Sequence, residues 1–295
     1  MKRRLIAAAV AIAAAFVVPS AASAAPQPGP QPSVSTHGMR AAPQMHLPRT
    51  NLAAPRHVRA GTYSSHVRAG SYYSQTWSGY ADAACPTCAI RYVTADFSVP
   101  SINPTGCVPG SSGYAYDGTW VGLDGLNDTT VEQIGTTGYC GASGVVYYAW
   151  YEMYPLAPVS YTGVQPGDAM NASVYWNAST NEYQLVLQDL TTGAGITTTQ
   201  PCPTSHCGNA SAEVITEVPS GGPSGGINLA PFGMTNFTNV TVTSRGGLHG
   251  SFTNSSLWQA DELTMQGVGP AYNILATPST AWAGQAFNIA FNNPA

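Results

Sequence analysis

Several carboxylates and one amide, each in a short alternating run, are the residues of this chain best placed to do chemistry. Ala212-Glu213-Val214-Ile215-Thr216-Glu217-Val218 alternates as an extended strand does. Glu213, Ile215 and Glu217 then share one face, and Val214, Thr216 and Val218 share the other. Two carboxylates two pleats apart lie roughly 7 Å from each other along a strand. That is too far to share a proton, yet close enough to couple where water is scarce. The same count on Tyr148–Tyr154 gathers Tyr148, Trp150, Glu152 and Tyr154 opposite Ala149, Tyr151 and Met153. The first set is an aromatic stripe holding one acid, a surface suited to gripping an extended polymer. The bland alternatives are a solvated strand face for the first run and a core strand with one hydrogen-bonded Glu for the second. In Gly118–Gly125, Trp120, Gly122 and Asp124 share a face, and the missing side chain at Gly122 leaves room there. Glu132 and Gln133 follow in Val131–Gly135; in an extended strand they point in opposite directions, so only one joins the Trp120 face.

A carboxylate beside an amide suits attack of water on an acyl group. The carboxylate takes the water's proton and later delivers it to a leaving amine. An uncharged amide orients the water and donates an N–H to the developing oxyanion. An amide does not titrate, so this donor persists in acid. Other hydrolytic chemistries have weaker support. Gly222-Pro223-Ser224-Gly225-Gly226 matches a serine-nucleophile string but sits in a Pro/Gly loop without the strand–turn–helix setting it needs, and only His206 and His249 remain in the body as bases. There is no Asp-Thr-Gly or Asp-Ser-Gly and no His-Glu-x-x-His. No metal or cofactor is implied.

The elements that must position these residues are strands. From about residue 71 to 295, Gly, Ser, Thr, Asn, Tyr and Val dominate, and alternating runs recur between turn residues with hardly any helical period. Arg91–Val99, Thr119–Leu123, Val145–Tyr154, Ala172–Trp176, Tyr183–Asp189 and Ala212–Val218 are the clearest, and Val174–Leu187 reads as a hairpin around an Asn/Ser/Thr loop. The expected packing is all-β, an antiparallel two-sheet β-sandwich. Six cysteines in an exported chain imply disulfides. Cys85 and Cys88, and Cys202 and Cys207, are close enough for local loops, which leaves Cys107 with Cys140.

Ahead of the body lies a polymer of opposite sign. Eight of the ten Lys and Arg residues precede Asp82, the first acidic residue; the remainder holds fourteen carboxylates against Arg91 and Arg245, a formal charge of −12, and no lysine. Residues 1–24 read as a secretory signal, with Lys2, Arg3 and Arg4 before an apolar run and Ala22-Ser23-Ala24 at the cut. Residues 25–70 are rich in Pro, Ala, Gln and Ser, without sustained hydrophobic period, and contain the near-repeat His57–Gly61 and His66–Gly70. A basic leader on an acidic body is expected to clamp near neutral pH and to loosen as carboxylates protonate near pH ~4. That is the pattern of a secreted zymogen working in acid.

In order, Trp-x-Gly-Leu-Asp-Gly, a Gln before a small turn, Trp-Tyr-Glu-x-Tyr-Pro and Ala-Glu-(three)-Glu resemble the glutamic peptidases, the eqolisin family. The resemblance runs from about Ser78 to Asn239 and includes Phe97-Ser98-Val99-Pro100 and Leu190-Thr191-Thr192-Gly193. It implies an acid endopeptidase, insensitive to pepstatin, on a lectin-like (concanavalin-like) jelly-roll sandwich, with Gln133 and Glu213 as its catalytic pair. Trp120, Trp150 and Tyr154 would shape the substrate cleft, with Asp124, Glu152 and Glu217 tuning the site. Glu132 stands where the family has an apolar residue, a like charge near the site, and Val214 where it has Trp. The part beyond about Asn239 carries no assigned chemistry. The expected partners are protein or peptide substrates and the chain's own pro-segment as intramolecular inhibitor, with no nucleic acid, no membrane and a monomeric body. Two other readings fit the same residues: a glycoside hydrolase using Glu152, Glu213 and Glu217, and a carbohydrate-binding lectin domain without turnover.

Overall fold

The computed structural model describes residues 33–42, 70–83, 89–126, 129–219, 226–252, 259–268, 272–279 and 285–294. The signal, the rest of the leader, Cys85, Cys88 and Ser224 lie outside the described residues. Among the described residues the regular secondary structure is all strand, save one short 3-10 turn at Pro104–Gly106. The leader contributes β1 (Ser33–His37) and β2 (Arg40–Ala41), and the body begins with β3 (Ser71–Ser74), β4 (Trp77–Ala83) and β5 (Ile90–Ser98). Next come β6 (Tyr114–Leu123), β7 (Val131–Gly141), β8 (Gly144–Tyr154), β9 (Val159–Thr162), β10 (Ala169–Asn177), β11 (Glu182–Asp189) and β12 (Gly195–Pro201). They are followed by β13 (Ser211–Glu217), β14 (Asn228–Leu229), β15 (Met234–Ser244) and β16 (His249–Ser251). β17 (Gln259–Gln266), β18 (Ile274–Pro278) and β19 (Phe287–Phe291) complete the series.

Pairing sorts these strands into two layers. One runs β3–β17–β4–β13–β6–β7–β8–β9–β2. The other runs β1–β12–β11–β10–β5–β15–β19–β18. β17 also pairs with β18, so a single sheet folds over on itself. The pairs are antiparallel except β3 with β17 and β14 with β6. The expected hairpin is β10–β11, with Trp176 opposite Tyr183 and Asn181 taking φ 56 in its loop.

The alternation of each strand decides what fills the sandwich. Val121, Leu123, Ile134, Met153 and Val214 of the first layer meet Val93, Phe97, Val174, Leu185 and Phe237 of the second in one buried cluster. Burying each such side chain contributes about 1.5–3 kcal/mol, and this burial fixes which face of every strand is left for other work. Two disulfides are present among the described residues, Cys107–Cys140 and Cys202–Cys207, in the expected pairing. The first ties the loop before β6 to β7.

Candidate active site

The outer face of the first layer gathers the acids and the amide. Cross-strand register sets Asp261 of β17, Ala81 of β4, Glu213 of β13, Gly122 of β6, Gln133 of β7 and Glu152 of β8 in one row. Neighbouring strands lie about 4.8 Å apart, so the backbones of Glu213 and Gln133 are separated by roughly 10 Å. Gly122 stands between them. A Cβ there would lie 2.9 Å from a Trp120 ring carbon, 3.2 Å from the Gln133 Cβ and 3.2 Å from the Glu132 carbonyl. The gap between acid and amide therefore depends on a residue with no side chain.

The next row along the strands is Gly79, Ile215, Trp120, Gly135 and Trp150. The one beyond it is Trp77, Glu217, Gly118, Thr137 and Tyr148. The aromatic rings pack together with Val131 and Leu263, and the half-buried Tyr154 lies against them. Trp77 meets Trp120 edge-on, with ring centroids 5.1 Å apart. Sequence reasoning missed Trp77; its place two residues from Gly79 and four from Ala81 on an alternating strand was the available signal.

Hydrogen bonds fix the polar groups. Gln133 Nε2 donates to Glu152 Oε2 at 2.7 Å, which sets the plane of the amide. Trp120 Nε1 donates to Glu217 Oε2 at 2.8 Å, and Trp150 Nε1 donates to Thr137 Oγ1 at 2.9 Å. Gln133, Glu152, Glu213 and Glu217 are all buried. Burial, and then the nearby charge of Glu152, push Glu217 up to about 8. Its carboxyl thus stays protonated through the acid range, while the indole N–H groups of Trp120 and Trp77 oppose the shift. Among the described residues, no group of His, Cys, Asp and Glu is arranged to hold a metal ion.

Trp120, Trp150, Glu152, Tyr154 and Glu217 thus lie on the same face as Gln133 and Glu213. Asp124 departs from the face assigned to it. Extended backbone ends at Leu123, Asp124 takes φ 67, and its carboxylate accepts the backbone N–H groups of Asn209 (2.7 Å) and Ala210 (2.6 Å). It anchors the start of β13, the strand that carries Glu213. Glu132 and Gln133 point to opposite faces, as alternation requires: Glu132 lies on the inner face, in the row of Leu123 and Met153, so its charge is kept from the Gln133 side by the sheet. Chain beyond Asn239 joins the site layer through β17, which brings Asp261 and Leu263 to its edge.

Comparison with known proteins bears on the family and the fold. Residues 75–268 match the Peptidase A4 family, so the match takes in β17. Scytalidopepsin B of Scytalidium lignicola is 35% identical over 97 residues, which is 32% of this chain and 36% of that protein. The matched stretch thus spans about a third of that relative's own length. A crystal structure of scytalido-glutamic peptidase with a peptide-based transition state analog superimposes with a TM-score of 0.57 at 22% identity, covering 74% of this chain and 98% of the other. Aspergilloglutamic peptidase from Aspergillus niger gives a TM-score of 0.46 at 22% identity, covering 60% of this chain and 99% of the other. With two thirds of its length matched and the β-sandwich in place, the chain belongs to the Peptidase A4 family, the eqolisins.

Proposed function

We propose that this chain is a secreted, pepstatin-insensitive acid endopeptidase, made as a zymogen, in which Glu213 and Gln133 activate one water molecule against a peptide carbonyl. The observation that carries the reading is the shared row: an acid and an amide on one face, two strands apart, with glycine between them. Glu213 takes the proton of the water as it attacks and passes it to the leaving nitrogen. An amide has two N–H donors. One of those on Gln133 is held by Glu152, and the second is left to receive the oxyanion. Glu217, kept protonated at acid pH, adds no second charge beside Glu213. Trp120, Trp150 and Tyr154 would shape the groove that takes an extended chain.

The leader fits the same reading. Its arginines complement an acidic body, and protonation of that body in acid would release it. A peptide of residues 40–70 is expected to inhibit the processed protein at neutral pH and weakly in acid.

The test is Gln133→Ala and Glu213→Gln, assayed on denatured protein at about pH 3, below the ordinary carboxylate range. Losing the oxyanion donor is expected to lower kcat by about 10²–10³, and losing the acid–base group by about 10²–10⁴, with near-UV dichroism unchanged. Near-normal proteolysis by both variants would remove the assignment.

A further inference from the structure

Residues 33–42 belong to the leader by sequence, yet they are built into the sandwich. β1 pairs with β12 over five residues, from Ser33 opposite Thr199 to His37 opposite Gly195. β2 sets Arg40 and Ala41 opposite Thr162 and Tyr161 of β9. Further bonds hold both ends: Thr198 Oγ1 donates to the Ser33 carbonyl at 2.8 Å, and the Ala42 N–H donates to the Ser160 carbonyl at 2.9 Å. β12 borders one layer and β9 the other, so this short segment passes from edge to edge across the open side of the sandwich.

Its side chains divide sharply. Residues 33–38, 40 and 41 are exposed, whereas Met39 is 4% exposed and packs in the main core with Tyr161, Val164, Ala194 and Ile196. Gly38 makes the inward step possible: it takes φ 70, and a Cβ there would stand 2.9 Å from that of Ala194. Backbone pairing supplies a sequence-tolerant ladder and one apolar side chain supplies the anchor, which is how added-strand peptide ligands are held. Without the segment, both edges would present unpaired N–H and C=O groups.

We propose that Ser33–Ala42 is a detachable peptide ligand of its own body, seated on a β12/β9 edge site with a socket for Met39, and that it stays docked when the chain is cut between it and Gly70. In the site layer, β6, β7 and β8 separate β9 from β13, the strand that carries Glu213. The pro-segment reading gives this strap a role, but its docking stands without that reading.

The test uses the full chain carrying Glu213→Gln, with a recognition sequence for a specific protease inserted within residues 43–69. After cutting at neutral pH, the amino-terminal fragment is expected to co-elute with the body on size exclusion. An excess of synthetic peptide 33–42 should displace a labelled fragment, and the same peptide with Met39→Asp should need about tenfold more or beyond. Release of the fragment on cutting, or equal competition by the two peptides, would overturn the proposal. Because the protein is made inert, retention is read separately from catalysis. A body that holds the strap, and whose Glu213 parent never digests protein, would remove the peptidase reading and leave this one standing.

Discussion

β13, β6, β7 and β8 each bury both of their faces, and the two faces do different things. The inner one carries Val121, Ile134, Met153 and Val214 against the second layer. The outer one carries Glu213, Gly122, Gln133 and Glu152 in a single row. Acids alone do not separate them, for Asp82, Asp117 and Glu132 are buried inside, and burial holds Asp117 well above the usual carboxylate range. Convergence separates them: outside, an acid and an amide flank a glycine, and another carboxylate holds the amide. A slip of one residue in register would exchange the faces entirely.

Ile134→Ala is the strongest way to break this comparison. Ile134 follows Gln133 in the chain but points into the core. The substitution is expected to cost about 2–5 kcal/mol of stability, read as a lowered urea midpoint, while kcat per folded molecule stays within about twofold. A large fall in kcat would mean that the faces are not independent. Glu152→Ala should do the reverse. Losing a hydrogen bond to a charged group costs about 1.5–3 kcal/mol, so kcat should fall about ten- to a hundredfold with KM and near-UV dichroism little changed. Glu152→Gln, which keeps an acceptor, should restore most of the rate; if it does not, Glu152 acts through its charge.

The pH dependence of stability tests the electrostatic side. Glu217 lies at about 8 when folded, against an ordinary value of 4.5. The folded protein therefore holds this proton more tightly than the unfolded chain does. Its stabilisation is full below about 4.5 and is lost as pH rises toward about 8. Glu217→Gln should flatten the stability–pH curve across that window, by at most about 1.4 kcal/mol per pH unit. An unchanged curve would contradict the burial argument.

Alternation made the faces legible. Ala212–Val218 and Tyr148–Tyr154 divide in the structure as their spacing dictates, because period-2 geometry is local. Adjacency was a different matter. Nothing in the residues near Glu213 says that Gly122 is its neighbour, since that pairing spans the chain and is set by the whole sandwich. Resemblance to a family, not periodicity, paired Gln133 with Glu213. Asp124 was misplaced because alternation was carried one residue past the strand's end, where φ turns positive. β17 was unread because Asp261 and Glu262 gave no sign of which strand they would join. The leader's composition gave no hint that Met39 would enter the core.

The parallel pairing of Ser71–Ser74 with Glu262–Met265 bears on where the leader can be severed. An endopeptidase needs a stretch of main chain it can draw into its own groove, with carbonyls and amides free to be handled. From Gly70 onward that stretch is already committed: the Gly70 N–H goes to Asp261, and its carbonyl takes the Glu262 N–H. If the leader is removed as proposed, a protease would have to peel this border strand away first, so cutting would be steered to bonds upstream of Gly70 and the new amino terminus would begin as sheet.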